Sequence, residues 1–468
     1  MGLRLKSIFQ SVPAIRTYAN LATSTEVLEG RHTKVSELKN GFRVATHNNG
    51  RATATIGIWV DSGSRYENTN NNGVAYFLEH LLYKGTKSRT QRQLELDLAR
   101  LGARFDSYTD REHTAYFIQS PSSEVNKVFE ILADAVRNSP YNTETIEVER
   151  KVLLKKLDEH DANTRERVFD YLNLTAFQGT ALALSPYGHS KSLESITAED
   201  LRNFAQDTYK PTRMVATAVG GVDHDQIAGL SEKLFGDLQH TYDRKTPQVS
   251  ASVRFTGSEM KYRDDNYPFL YAAFAVEGVP TGHPDALPLS VAQQFIGQWD
   301  KTHATFENAP NALTQDLIVN HEIESFEGFN INYKDTGLFG IYTVLKGQDI
   351  DTCWDVTKKL QKRWKYLSTG LQNDEVDRAK NQLRTQLFTK LETNAKFADH
   401  IAKELLNTGR VTQLEELARN INYIDANQVR EAASRHVYDR DLAIVVVGKT
   451  EAWPTYHWLR YAMSSWRV

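Results

Sequence analysis

The chain has 468 residues, too many for one ordinary core, and its 40% hydrophobic and 25% charged content is that of a globular protein rather than a disordered or fibrous one. Its 56 Lys+Arg against 59 Asp+Glu leave a formal charge of −3, so no basic excess draws nucleic acid onto a whole face. A single cysteine, Cys353, excludes an intramolecular disulfide framework and a thiolate zinc cluster. The longest apolar runs, such as 442–447, fall far short of the roughly 20 residues that span a bilayer.

Residues 1–25 carry Arg4, Lys6 and Arg16 but no acid; the first carboxylate is Glu26. Leu3, Leu5, Ile8, Phe9 and Val12 interleave with basic and hydroxyl residues, as a short amphipathic helix requires. That composition predicts a mitochondrial targeting peptide, removed between Arg16 and Thr25. Lys6 and Gln10 interrupt the apolar core a secretory signal would need, and Lys6 stands where myristoylation requires Ser or Thr.

Next come apolar strands at 43–46 and 53–61, which read as a hairpin-like pair, and a helical segment at 73–86. A strand over 114–119 precedes helices over 124–137 and 143–160, the latter charged with Leu153, Leu154 and Leu157 at three and four spacing. ITAEDLRNFAQDTYKPTRMVATAVG at 196–220 then recurs without a gap as IDANQVREAASRHVYDRDLAIVVVG at 424–448. Ile196/Ile424, Ala198/Ala426, Arg202/Arg430, Ala205/Ala433, Val219/Val447 and Gly220/Gly448 are identical. Each copy begins at a capping residue, Thr197 or Asp425, runs as an amphipathic helix and ends in an apolar strand closed by glycine.

Upstream, the order of elements repeats as well. Tyr108-x-Asp110 precedes the strand at 114–119 as Tyr333-x-Asp335 precedes one at 338–345, with helices over 351–367 and 374–391 following. This predicts an α+β fold of two homologous domains, each a mostly antiparallel sheet with helices over one face. The domains are expected at 26–238 and 253–468, with the polar, aperiodic stretch 239–252 as the linker.

One chemical motif stands out. In GVAYFLEHLLYKGT at 73–86, Tyr76, Glu79 and His80 share a helix face. With histidine in place of Tyr76 it would read H-x-x-E-H, the inverted zinc-peptidase signature: two imidazole ligands and a general-base glutamate. Alone, a Glu-His pair is ordinary solvated helix surface.

Its surroundings carry more. YFLEHLLYKGT, LDLARLGARFDSYTDREHTAYF at 96–117 and IEVERKVLLKKLDEHD at 146–161 closely resemble the M16 (insulinase-type) metallopeptidase family. The likeness continues through RVFDYLNLTAFQGTALA at 167–183, DLRNFAQDTYKPTRMVATAVGGVDH at 200–224 and the ending at 436–468. It is to the mitochondrial branch, where presequence-processing peptidases stand beside core subunits of the cytochrome bc1 complex (respiratory complex III).

The resemblance implies two homologous α+β domains, paired with a sister subunit to enclose a cavity. It also places the family's first histidine ligand on Tyr76, its second on His80 and its catalytic glutamate on Glu79. The distal glutamate ligand falls on Lys156, while the flanking acid is kept as Glu149. A catalytic zinc takes three protein ligands and an open position; one ligand is retained here, one replacement is a poorly coordinating phenol, and the other is a cation. The expectation is a retired peptidase with no metal, cofactor or catalytic residue, Glu79 being a vestigial base.

The remaining candidates read as structure. Glu112 and His113 are expected to bond to backbone or solvent, and Asp158, Glu159 and His160 to form a solvated helix end. Trp354, Trp364, Trp453, Trp458 and Trp466 read as core and interface, and Lys358, Lys359, Lys362, Arg363 and Lys365 as a solvated helix face.

The resemblance thus implies a non-catalytic scaffold of ubiquinol–cytochrome c reductase, peripheral on the matrix side of the mitochondrial inner membrane. Its implied partners are a sister M16-type core subunit 2, cytochrome b, cytochrome c1 and the Rieske subunit. A retained presequence peptide is a further candidate occupant of the cavity, and nucleic acid is not a partner. The alternative is a zinc-dependent processing peptidase β subunit; the ligand set at Tyr76 and Lys156 decides against it.

Overall fold

The computed structural model describes residues 32–240, 253–302, 312–318, 323–346 and 349–464. The targeting segment 1–25, residues 241–252 of the expected linker and Trp466 lie outside them.

The first half contains strands β1 (Lys34–Glu37), β2 (Arg43–Asn48), β3 (Thr53–Val60), β4 (Arg104–Thr109), β5 (Thr114–Pro121) and β6 (Met214–Gly220). They form one sheet in the order β1-β2-β6-β3-β5-β4. Its helices are α1 (Val74–Leu81), α2 (Gln91–Arg100), α3 (Val125–Arg137), α4 (Thr143–Ala162), α5 (Thr164–Ala176), α6 (Ser190–Ser195), α7 (Ala198–Thr208) and α8 (His224–Phe235).

The second half contains β7 (Ser258–Arg263), β8 (Leu270–Gly278), β9 (Gln298–Asp300), β10 (Ile323–Asn332), β11 (Gly337–Leu345) and β12 (Ala443–Gly448), ordered β7-β12-β8-β11-β10-β9. Its helices are α9 (Ala286–Ile296), α10 (Ala312–Ile318), α11 (Ile350–Thr369), α12 (Asn373–Leu391), α13 (Asn394–Thr408), α14 (Leu414–Asn422), α15 (Ala426–His436) and α16 (Tyr456–Tyr461).

The repeat in the letters is a repeat in the pairing. β2 runs parallel to β6, and β6·β3, β3·β5 and β5·β4 are antiparallel. β7 runs parallel to β12, and β12·β8, β8·β11 and β11·β10 are antiparallel. The aligned helices α7 and α15 both open on capping boxes, Thr197 with Asp200 and Asp425 with Gln428.

The expected pairing of 43–46 with 53–61 does not form. β6 lies between them, bonded to β2 on one side and β3 on the other. Every residue of β6 is buried; a strand apolar on both faces belongs in the middle of a sheet, so it displaces the local pairing.

The α+β architecture is as read, but helices cover both faces of each sheet. One face of the first sheet packs Ile56, Ile58 and Ile118 on Phe129 and Leu132 of α3 and on Phe235 of α8. Its other face, with Ala45, Trp59, Phe117 and Val215, is covered by Phe397, Ile401 and Leu405 of α13, a second-half helix. Reciprocally, Ala273, Ala275, Val445 and Val447 of the second sheet pack against Val168, Leu172 and Ala176 of α5, a first-half helix. Each half completes the other's core.

Buried charge follows the same seam. Arg65 pairs with Glu112 at 2.5 Å and with Asp335 of the second half, Arg65 and Glu112 both being buried. Lys403 of α13 reaches Asp110 at 3.1 Å, and Trp59 Nε1 donates to Asp399 Oδ1 at 3.0 Å.

Candidate functional site

The degenerate motif lies on α1, whose start the sequence builds with care. The fully buried Glu67 carboxylate accepts from Asn72 Nδ2 (2.8 Å), Gly73 N (2.7 Å) and Ala75 N (2.8 Å), covering donors that a helix N-terminus leaves unpaired. Burial pushes its pKa up to about 7 against those hydrogen bonds. Gly73 sits at φ +95°, and a Cβ there would stand 2.9 Å from Leu193 Cδ2 and 3.1 Å from Gly188 Cα, so glycine alone fits.

From this start, α1 presents Tyr76, Glu79 and His80 towards α4 and β4. Tyr76 is buried, its ring edge-on to His80 at 4.8 Å and to Tyr187 at 5.0 Å. Burial, reinforced by the Glu79 charge, raises its phenol pKa, so the oxygen offers no anionic ligand. Glu79 is also buried and its Oε1 accepts from Ser107 Oγ at 2.8 Å. Burial raises its pKa, opposed by the hydrogen bond from Ser107 and by the Lys156 charge.

Lys156 and Glu149 on α4 meet His80 from opposite sides. Lys156 Nζ donates to His80 Nε2 at 3.3 Å, while Glu149 Oε2 lies 3.6 Å from His80 Nδ1. Glu149 is buried and its other oxygen pairs with Lys84 at 2.6 Å. Burial and the neighbouring ammonium depress the imidazole pKa to about 4, Glu149 opposing, so the ring is neutral near pH 7. A metal at this place would need the Nε2 lone pair that the ammonium now uses. The sequence singled out Tyr76, Glu79, His80, Lys156 and Glu149, and all five converge. It did not indicate Lys84, just past the end of α1, or Ser107 and Tyr187, which reach the site through sheet and loop packing.

Other candidates lie elsewhere. Glu112 and His113 are not aimed at α1: Glu112 pairs with Arg65 and accepts from Lys334 N at 2.9 Å, and His113 Nε2 donates to Asn407 Oδ1 at 3.0 Å. Both therefore serve the seam between halves, not solvent. His160 departs from the solvated-end reading. It is buried, donates to Glu166 (2.7 Å) and Asp170 (2.9 Å), and stacks on Tyr187 at 4.0 Å, whereas Asp158 and Glu159 are exposed. Asp170 also pairs through its other oxygen with Arg111 at 2.5 Å, which extends the cluster into a network.

Trp364 and Trp453 are core, and Trp354 packs on Trp458 at 4.6 Å. The basic face of α11 is only partly solvated. Lys358 and Lys362 are exposed, but Arg363 stacks over Phe295 at 4.2 Å and burial lowers Lys365 to about 8.

Fold and site together define a class: two homologous α+β halves, the first carrying Tyr76, Glu79 and His80 on one short helix. The chain belongs to the M16 peptidase family. Residues 43–189 match the model described as insulinase (peptidase family M16), and residues 195–383 match the M16 inactive domain.

Cytochrome b-c1 complex subunit 1, mitochondrial, of Caenorhabditis elegans is 49% identical, covering 100% of both chains. Mitochondrial-processing peptidase subunit beta of Homo sapiens is 38% identical over 96% of this chain and 91% of its own. A chain of the solved Complex III2 from Candida albicans, Inz-5 bound, superposes with a TM-score of 0.83 at 25% identity, covering 92% of this chain and 100% of that one.

Proposed function

We propose that this protein is a non-catalytic core subunit of ubiquinol–cytochrome c reductase, required for assembly and stability of complex III. The observation that carries the non-catalytic reading is the Lys156–His80 contact of 3.3 Å. The residues present do not fit a catalytic zinc: the single aligned imidazole is engaged by an ammonium, and Tyr76 offers a neutral phenol. Without the metal, Glu79 has no bound water to deprotonate. Full-length likeness to subunit 1 of the worm complex supports the assembly reading over the processing-peptidase one.

In that role the chain divides into domains at 26–238 and 253–468, follows a cleaved peptide within 1–25, and pairs with a sister M16 subunit. Cytochrome b, cytochrome c1 and the Rieske subunit complete the assembly. Its side of the inner membrane is the matrix, and its attachment peripheral; no helix among the described residues is long and apolar enough to cross a membrane. Purification from mitochondrial membranes in mild detergent tests this. Co-migration with b- and c-type haem and loss of complex III on deletion are expected. Recovery instead as a presequence-cleaving heterodimer whose activity a chelator abolishes overturns it.

A further inference from the structure

A second cluster of metal-binding side chains lies in the other half, far in sequence from α1. His283 and Asp285 precede α9, and His436 ends α15. One ring nitrogen of each histidine and a carboxylate oxygen of Asp285 all lie within 4.8 Å of one another. We propose that His283, Asp285 and His436 form a binding site for a divalent transition-metal ion, zinc foremost, that clips the end of α15 to the start of α9.

The donor spacing supports it. Tetrahedral zinc with bonds of about 2.0–2.1 Å holds its ligand atoms about 3.3 Å apart. Asp285 Oδ2 is 2.9 Å from His436 Nε2 and 3.9 Å from His283 Nδ1, so shifts of about half an ångström bring both to that value; the two histidine nitrogens, within 4.8 Å of each other, close on the ion by rotation of their partly exposed rings. Two imidazoles and one carboxylate are a borderline N/O set suited to zinc. Asp285 is buried at its base while both histidines are partly exposed, which leaves a fourth position open to solvent.

Binding exchanges three present contacts. His436 Nε2 gives up the proton it shares with Asp285, and the backbone N–H of Asp285, now donating to His283 Nδ1 at 3.1 Å, is released to water. Arg435, which donates to both Asp285 oxygens at 2.8 and 3.1 Å, is the competing cation. It has somewhere to go: its side chain is about half exposed and lies 3.7 Å from Glu431 one turn back. Because an arginine is displaced, affinity rises with loss of Arg435.

The test uses the full chain in its purified native assembly, stripped with chelator and dialysed against micromolar zinc chloride. Zinc per copy is measured for wild type, His436→Gln and Arg435→Gln. The wild type is expected to hold one zinc more than His436→Gln, and Arg435→Gln to bind about tenfold more tightly, the scale of one removed charge at this range. Equal zinc in wild type and His436→Gln overturns the site. So does an unchanged affinity in Arg435→Gln, which alters a half-exposed side chain and leaves all three ligands in place.

Discussion

The Lys156 ammonium stands 3.3 Å from His80 Nε2, with the buried Glu149 carboxylate 3.6 Å from the other ring nitrogen. A side-chain cation and a carboxylate thus flank one imidazole between α1 and α4. The Lys156 contact joins α4 to α1 through that ring.

Rebuilding the ligand set should take both substitutions. Tyr76→His supplies a second imidazole but leaves the opposing ammonium, and is expected to bind zinc no better than wild type. Tyr76→His with Lys156→Glu restores three ligands around Glu79 and removes the like-charge clash, so zinc affinity should rise at least about tenfold. Titrating the variants in a His436→Gln background keeps any binding near α15 out of the signal. Tight zinc at α1 with Lys156 intact would refute the reading of this site.

The depressed His80 pKa sets an acid dependence. The value is about 4 in the fold against an ordinary 6.5, so the unfolded chain binds the extra proton. Stability is therefore full above about pH 6.5 and declines as pH falls towards 4, by no more than about 3 kcal/mol. Lys156→Gln removes the second cause while burial, the first, stays. The fall in melting temperature between pH 7.5 and pH 5 should be smaller in that variant but still present. An equal or larger fall would mean that the ammonium does not oppose ring protonation.

The exchanged helices predict damage at a distance. Ile401 of α13 is fully buried against the first sheet, so Ile401→Ala should cost about 2–5 kcal/mol. Although the substitution is in the second half, new proteolytic cuts should appear in the first, within 43–60 or 114–121. Mapping the fragments by mass spectrometry decides this; cuts confined to the second half would contradict a shared core.

The composition break at the start of the chain predicts a mature N-terminus after Arg16 and before Glu26. N-terminal sequencing of the membrane-associated protein reads it directly, and an intact Met1 or Gly2 there would remove the targeting argument.

Much of the fold was legible because period and repetition are local properties. The match of 196–220 to 424–448 predicts a capped helix followed by an apolar strand in each copy, and both pairs are present. Strand adjacency was not legible. β2 and β3 are neighbours in the chain, yet β6, which arrives about 150 residues later, separates them, since sheet order depends on which strand must bury two faces. His160 misled for a related reason: its neighbours Asp158 and Glu159 are solvated, whereas its own partners Glu166 and Asp170 come from the next helix folding back.

The sequence by itself determined the duplicated α+β architecture and the shared helix face of Tyr76, Glu79 and His80, because helix period places side chains on faces and a residue's chemistry travels with its letter. Only the tertiary structure decided that Lys156 would turn onto His80, that α5 and α13 would each close the other half's core, and that His283, Asp285 and His436 would meet. Those relations join residues dozens to hundreds of positions apart, and their geometry exists only once packing has brought their backbones together.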